Sequence, residues 1–184
     1  MNNKIVKLAV ILFLVCAITA GVLGVVNELT YQRIADINTE KTTKAYKNVL
    51  PDADGFTALD ITALKAAHPT IDAVSKANNG AGYVVESTFS GAQGSITMAV
   101  GVDDALSCTG ISIIKHSETS GLGANAASTG KVGVDFRSQF IGQGEDIALK
   151  KAGGEIDALS GATITSRSVT AAVAESIKVV KEVA

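Results

Sequence analysis

The first hydrophobic pattern along the chain is a long uncharged run. Residues 8–26, about 19 positions, contain no charged side chain, which is enough for a helix to cross a bilayer. Lys4 and Lys7 precede the run and Glu28 follows it. Because basic residues favour the cytoplasmic side, the pattern predicts a retained transmembrane helix with a cytoplasmic N-terminus and the following chain on the outer face. The alternative is a cleaved signal peptide, but residues 17–20 are a poor match to its small-residue cleavage site.

The pattern then changes from helical to strand-like. Residues 27–50 continue as a helix-like stretch that ends at the Pro- and Gly-containing residues 51–55. A short helix is predicted at residues 63–67, before Pro69. Runs of β-branched residues between turn signals then predict strands, of which the last pair forms an antiparallel meander. These strands are residues 71–76, 82–89, 95–102 and 107–116.

Two further elements are predicted near the end of the chain. Residues 148–159 are expected to form a hairpin around Gly153 and Gly154. From Ser166 onward, apolar residues recur at spacings of three and four, which predicts a final helix. The residues that set this spacing are Val169, Val173, Ile177 and Val180.

Composition narrows the class of protein. The formal net charge of −2, without a basic run, argues against a nucleic-acid partner. Cys16 lies in the apolar run and Cys108 in a predicted strand, so we expect neither a disulfide nor a metal site from them. His68 and His116 have no evident acid or nucleophile partner and are interpreted as surface residues.

Small residues precede the final helix, in residues 157–166. Gly161 permits a turn, and Thr163, Thr165 and Ser166 are candidate N-caps. The free N–H groups of a helix start favour an anion such as phosphate, and Arg167 would add a charge-assisted contact. From physical chemistry alone, an ordinary capped helix is the more common explanation of such a turn.

A second candidate loop follows the last predicted strand. Gly121 and Gly123 flank Leu122, so the loop exposes backbone amides and allows close approach of a planar ligand. A glycine-containing loop after a strand is common, so this pattern alone does not identify a site.

Taken together, the two loops resemble the FMN-binding domain shared by the G subunit of the Rnf electron-transport complex and the C subunit of the sodium-translocating NADH:quinone oxidoreductase. The first motif is Glu-Thr-x-Gly-Leu-Gly at residues 118–123, and the second is Asp-x-x-Ser-Gly-Ala-Thr at residues 157–163. Phe-x-x-Gln-Phe, at residues 136–140, resembles the segment that packs behind the first loop. The resemblance covers about residues 70–184 and the N-terminal span.

The resemblance implies that Thr163 carries covalent FMN through a phosphoester bond, formed by a separate flavin transferase. It implies no catalytic residue or metal site in the chain. The noncovalent flavin contacts that it implies are Glu118, Thr119, Gly121, Leu122, Gly123, Ser160, Gly161, Ala162 and Thr165.

The resemblance also implies an α+β fold, with one transmembrane helix followed by an antiparallel-sheet FMN-binding domain with flanking helices. The expected divisions are a cytoplasmic tip and membrane helix at residues 1–27, a helical connector at residues 28–69 and the FMN-binding domain at residues 70–184. The chain is expected in the cell membrane, in contact with lipid and with the other subunits of an Rnf complex.

The function implied is electron relay within an ion-translocating ferredoxin:NAD oxidoreductase, as a subunit rather than as an enzyme alone. The short chain with one span favours the Rnf complex over the quinone reductase. Two other classes stay open at this point: a free-standing extracytoplasmic flavoprotein, and an anchored interaction domain without a cofactor.

Overall fold

A computed structural model describes residues 3–184, which divide into two compact units, one that ends at Lys41 and one at Thr42–Ala184. Helix α1, Asn3–Val49, supplies the described part of the first unit and the start of the second. The large apolar side chains between Ile5 and Leu29 that the structure describes are exposed to solvent along this helix. The most apolar window of α1 has a mean hydropathy of 2.8, so the helix has the length and composition of a membrane span.

The second unit is built on a five-stranded antiparallel sheet in which sequential strands are neighbours, in the order β1 to β5. The predicted meander is confirmed, and each predicted strand matches an observed one to within one residue at either end. The strands are β1 Phe56–Leu59, β2 Ile71–Ala77, β3 Tyr83–Ser90, β4 Ser95–Val102 and β5 Cys108–His116. The pattern of the sequence does not predict β1, because it is a short edge strand with a half-exposed pattern.

The two faces of the sheet are covered by different helices. Helix α3, Thr163–Val183, packs its valine and isoleucine stripe against one face, where Val85 and Val100 are fully buried. The end of α1 covers the other face, where Val49 packs with Val84 and Ala99. Because neighbouring strand residues point to opposite faces, Val84 and Val85 are buried in separate clusters. The α+β fold predicted from the sequence is therefore confirmed.

The predicted hairpin at residues 148–159 is wrong. Leu149 and Ile156 form a parallel bridge, and between them lies a 3-10 turn, Lys150–Ala152, followed by Gly153 with φ of +88°. A side chain on Gly154 would collide with the backbone of Ala148. The chain therefore folds back as a compact loop, which we name the Lys-loop (residues 147–156), instead of two antiparallel strands.

Two short helical segments also differ from the prediction. Residues 63–67 form successive turns rather than a helix; the amides of Leu64 and Lys65, for example, share the carbonyl of Ile61. Helix α2, Lys131–Ser138, is not predicted from the sequence, because Gly133 in its interior lowers helix propensity. That glycine is required because a Cβ there would collide with the carbonyls of Asn125 and Ser128.

His68 lies in the turn before β2 and is buried, in contrast to the predicted surface position. Its Nδ1 lies 2.6 Å from Glu175 Oε1, and its Nε2 lies 3.3 Å from Glu182 Oε1, both on α3. The hydrogen bond to Glu175 raises the pKa of His68 above its ordinary value, burial opposes this, and Glu182 adds to the rise. No local pattern in the sequence indicates this contact, because its partners lie 107 and 114 residues away.

Candidate functional site

Helix α3 begins at Thr163, directly after the small-residue turn. The preceding residue, Ala162, has φ of −130° and ψ of 44°, and no side chain in the described structure caps the helix. The prediction of a side-chain cap from Thr163, Thr165 or Ser166 is therefore wrong, since all three lie within the helix. The first amides of α3, which like those of any helix have no intrahelical partner, therefore lack a side-chain cap as well and form an end of positive potential.

Ser166 fixes the conformation of the turn from inside the protein. Its hydroxyl accepts a hydrogen bond of 2.9 Å from the Leu159 amide and donates one of 2.9 Å to the Ala162 carbonyl. The Ser166 side chain has no solvent exposure. Gly161, at φ of +71°, lies at the exposed tip beside Ser160, so the loop from Leu159 to Ala162 is a defined structure rather than a loose connection.

The hydroxyl groups of this region differ sharply in accessibility. Thr165 has no solvent exposure, and its hydroxyl donates a 2.5 Å hydrogen bond to Glu118 Oε2. Ser166 is equally buried, and its hydroxyl is hydrogen-bonded within the turn. Thr163 is partly exposed and Ser160 is exposed. Thr163 and Ser160 are therefore the hydroxyls of the motif that an external reactant reaches.

Thr163 lies between two clefts. The loop-side cleft, of about 310 Å³, is lined by residues that include Lys150, Asp157, Ser160 and Gly161. The helix-side cleft, of about 230 Å³, is lined on one wall by the Lys-loop and on the other by Arg167, Thr170 and Ala171. Thr163 lines both clefts, together with Leu149 and Lys151, whereas Ser160 lines the loop-side cleft alone.

The loop that carries the first motif, which we name the glycine loop (residues 118–125), is held mainly by hydrogen bonds between its own backbone groups. The amides of Leu122 and Ala124 both donate to the Thr119 carbonyl at 3.2 Å, and the Asn125 side chain donates to the Gly121 carbonyl at 2.9 Å. Leu122 is 45% exposed although it is a large apolar residue. It therefore adds apolar surface to a loop whose neighbours Thr119 and Gly121 are also exposed.

The two motifs meet at Leu122 and Gly161. A Cβ placed on Gly161 would lie 3.0 Å from Leu122 Cδ2, so the leucine packs directly against the tip of the Thr163 turn. The resemblance implies that both loops line one flavin pocket, and in the structure Leu122 of one loop lies beside Gly161 of the other. Thr119 and Gly121 are exposed in the same loop.

Glu118 lies below this surface and is 8% exposed. Its Oε1 accepts a 3.0 Å hydrogen bond from the Gln93 amide, and its Oε2 accepts the Thr165 hydroxyl. Burial alone would raise the pKa of Glu118, but the bonds from Gln93 and Thr165 and from the amides of Ala92 and Gly94 outweigh it and lower the pKa. The carboxylate therefore stays ionised and joins the β3–β4 turn to α3.

Gly123 packs against the hydrogen-bonded side chains of Glu118 and Thr165. A Cβ on Gly123 would collide with the Glu118 carboxylate and lie 2.6 Å from Thr165 Oγ1. The resemblance implies that Glu118, Gly123 and Thr165 contact the flavin; in the structure they contact one another beneath the exposed loops. Ala162 is buried as well, at 5% exposure.

Gln139 is not among the predicted site residues, although it lies in the Phe-x-x-Gln-Phe segment. Its side-chain oxygen accepts a 2.7 Å hydrogen bond from the Asp157 amide, and its nitrogen donates to the Asp157 carbonyl at 3.3 Å. Phe136 and Phe140 pack edge to face with ring centres 5.3 Å apart. Gln139 therefore fixes the backbone at the start of the second motif. The Asp157 side chain has a separate partner, because Lys150 Nζ lies 2.5 Å from its carboxylate.

The sequence matches two families of known proteins. Residues 91–178 match the FMN-binding domain, and residues 1–49 match the RnfG N-terminal region. The chain is 33% identical to the G subunit of the ion-translocating oxidoreductase complex of Methanosarcina acetivorans, over 91% of this chain and 90% of that protein. This chain belongs to the family of Rnf complex G subunits. It is also 32% identical to the G subunit of the Na(+)-translocating ferredoxin:NAD(+) oxidoreductase complex of Acetobacterium woodii, over 94% of this chain and 90% of that protein.

Membership of this family confirms the resemblance predicted from the two motifs. Both motifs, Gln139 and the two clefts lie within the match to the FMN-binding domain, whereas α1 coincides with the match to the RnfG N-terminal region. A relative from Clostridium ljungdahlii, the G subunit of the proton-translocating ferredoxin:NAD(+) oxidoreductase complex, is 29% identical over 96% of this chain and 92% of that protein. The relatives of this chain thus carry names with two different ions.

Proposed function

We propose that this protein is a membrane-anchored subunit that carries FMN covalently on Thr163 and relays electrons within an ion-translocating ferredoxin:NAD oxidoreductase. The family and its FMN-binding domain support the class of function. The observation that carries the choice of residue is the position of Thr163. Thr163 is partly exposed and lines both clefts, whereas Thr165 and Ser166 are buried and their hydroxyls are hydrogen-bonded.

The attachment is a phosphoryl transfer in which the Thr163 oxygen attacks the flavin-side phosphorus of FAD. The Oγ–P bond forms, the bond to the bridging oxygen of the pyrophosphate breaks, AMP leaves with that oxygen, and the threonine proton passes to a base. Within residues 3–184, no group of three or more His, Cys, Asp or Glu side chains is arranged to hold a metal. We therefore assign the metal and the base to a separate flavin transferase that acts on this chain.

The residues at the site fit the parts of FMN. The N-terminal amides of α3 favour the phosphate, which carries negative charge beside Thr163. Leu122, exposed next to Gly161, offers apolar surface to the ring, and the side of Gly121 where a Cβ would project is open. The bound flavin supplies one- and two-electron transfer, and the chain holds it in place and sets its surroundings.

The membrane assignment rests on α1. Its apolar surface, from Ile5 to Leu29, is exposed in the described part of the helix, and burial in lipid would remove this surface from water. Lys4 and Lys7 favour a cytoplasmic N-terminus, which leaves the FMN-binding domain on the outer face. A reporter enzyme that works only outside the cytoplasm, fused after Ala184, should be active. Activity of a cytoplasm-only reporter at that position would reverse the orientation.

The attachment is tested by co-expressing the full chain with a flavin transferase. Wild type should give a fluorescent band after denaturation, and its mass should increase by that of FMN less water. Thr163→Val keeps the β-branched shape without the hydroxyl and should be dark. Ser160→Ala, which removes the other accessible hydroxyl, should stay fluorescent. A fluorescent Thr163→Val chain would move the attachment elsewhere, and a dark wild type would reject the covalent flavin.

A further inference from the structure

The charges around Thr163 are distributed unequally between its two clefts. The charged residues lining the loop-side cleft are Lys150, Lys151 and Asp157, and Lys150 and Asp157 form an ion pair. The residues lining the helix-side cleft include the cations Lys151 and Arg167 and no carboxylate. The helix-side cleft is therefore the more positive side of Thr163.

Within the described part of the chain, the side chains of Lys151 and Arg167 are unpaired, unlike those of three other lysines of the domain. Lys150, Lys131 and Lys181 each lie within 2.6 Å of a carboxylate oxygen. By contrast, the side chains of Lys151 and Arg167 have no hydrogen-bond or ion-pair partner among the residues that the structure describes. Because both cations line one cleft and neither is paired with a described residue, each is free to interact with an anion bound there.

Their placement follows from the local fold. Arg167 lies one helical turn after Thr163 on α3, and residues four apart on a helix share a face. Lys151 is presented from the opposite wall by the 3-10 turn of the Lys-loop, Lys150–Ala152. The parallel bridge between Leu149 and Ile156 fixes the base of this loop. The two cations therefore approach the same threonine from separate elements.

We propose that Lys151 and Arg167 bind the flavin phosphate from the helix-side cleft, and that this charge interaction exists before the covalent bond is made. This inference rests on the proposed attachment at Thr163 and adds the side on which the phosphate lies. Arg167 provides a planar group suited to two phosphate oxygens, and Lys151 provides a compact charge. The ribityl chain and ring of the flavin would then lie on the side of the loop-side cleft, next to Gly161 and Leu122.

The experiment separates phosphate recognition from attachment by using the full chain in detergent with Thr163→Val, which prevents the covalent bond. Binding of FMN and of riboflavin, which lacks the phosphate, is measured by flavin fluorescence at low and high salt. We expect FMN to bind more tightly than riboflavin, by about tenfold at low salt, and the difference to shrink as salt rises. Lys151→Gln and Arg167→Gln should each reduce the preference by about threefold, within the range of an exposed charge pair.

Lys131→Gln serves as the matched control, because Lys131 is an exposed lysine on α2 paired with Asp135 and lines neither cleft. It should leave the preference for FMN unchanged, and Arg167→Lys should retain part of it. Equal affinity for FMN and riboflavin, or no binding of either, would overturn the phosphate site. Loading of wild type by the transferase is scored separately, so a failure of this inference would be distinct from a failure of attachment at Thr163.

Discussion

The Thr165 hydroxyl donates a 2.5 Å hydrogen bond to the Glu118 carboxylate, which lies 47 residues earlier in the chain. Glu118 also accepts the amide of Gln93. This pair joins the strand-connecting turn, the glycine loop and the first turn of α3 beneath the proposed flavin site. We therefore expect Glu118 to position Thr163, which lies two residues before its partner.

Glu118→Gln should lower the free energy of unfolding, because it keeps the shape but replaces a charged acceptor with an amide. The expected loss is about 1–2 kcal/mol, the range for a hydrogen bond to a charged group after partial replacement. The lowered pKa of Glu118 means that its stabilisation is present above its ordinary value of 4.5 and is lost as pH falls through the folded pKa. In urea unfolding, the difference in free energy of unfolding between wild type and Glu118→Gln should therefore become smaller as the pH is lowered. A difference that becomes larger in acid would contradict stabilisation by the ionised Glu118 carboxylate.

Gly123→Ala should disrupt the same pair, because the new Cβ would collide with the Glu118 carboxylate. We expect a lower melting temperature and reduced flavin loading, through displacement of the loop rather than by crowding of the ring. The control is Gly144→Ala, since a Cβ at Gly144 would meet no atom within 4 Å. Normal stability together with poor loading in Gly123→Ala would instead favour direct contact of this position with the ligand.

Ser166→Ala should reduce loading although Thr163 is intact. The substitution leaves the buried Leu159 amide without its acceptor, which costs about 1–3 kcal/mol, and frees the turn that presents Thr163. Ser176→Ala is the matched control, because Ser176 is equally buried and bonds only to the Ala172 carbonyl of its own helix. In-gel flavin fluorescence and thermal unfolding measure the two effects. Equal loading of both variants would show that Ser166 is not needed for presentation of the turn.

His68→Gln should change how stability depends on pH near neutrality. Because the pKa of His68 is raised, mainly by Glu175, its ion pairs stabilise the folded state fully below its ordinary value of 6.5, and this contribution is lost as pH rises through the folded pKa. Wild type should therefore lose stability relative to His68→Gln over that interval. Parallel stability curves for the two chains would reject the ion-pair contribution.

Features with local signals were predictable from the sequence. β2 to β5 follow β-branched runs between turns, and the turn before α3 follows its small residues. The sequence does not predict the hydrogen bond between Thr165 and Glu118 or that between Asp157 and Gln139, since these bonds join residues 47 and 18 positions apart. Lys151 was missed because its position depends on the Lys-loop, which looks like a hairpin in sequence but closes in parallel.

The bonds that shape the Thr163 turn come from Ser166 within α3 and from Gln139 before it, and α3 is in turn held to the sheet by Glu118. Because Gln139 and Glu118 lie outside residues 157–167, we expect the isolated peptide not to hold this turn and the turn to form only once strands, loop and helix have assembled. A transferase that recognises this shape would act after folding, so the attached flavin would mark chains that have already folded. A peptide of residues 157–167 should accordingly stay unlabelled under conditions that load the full chain, and efficient labelling of the peptide would reverse that order of events.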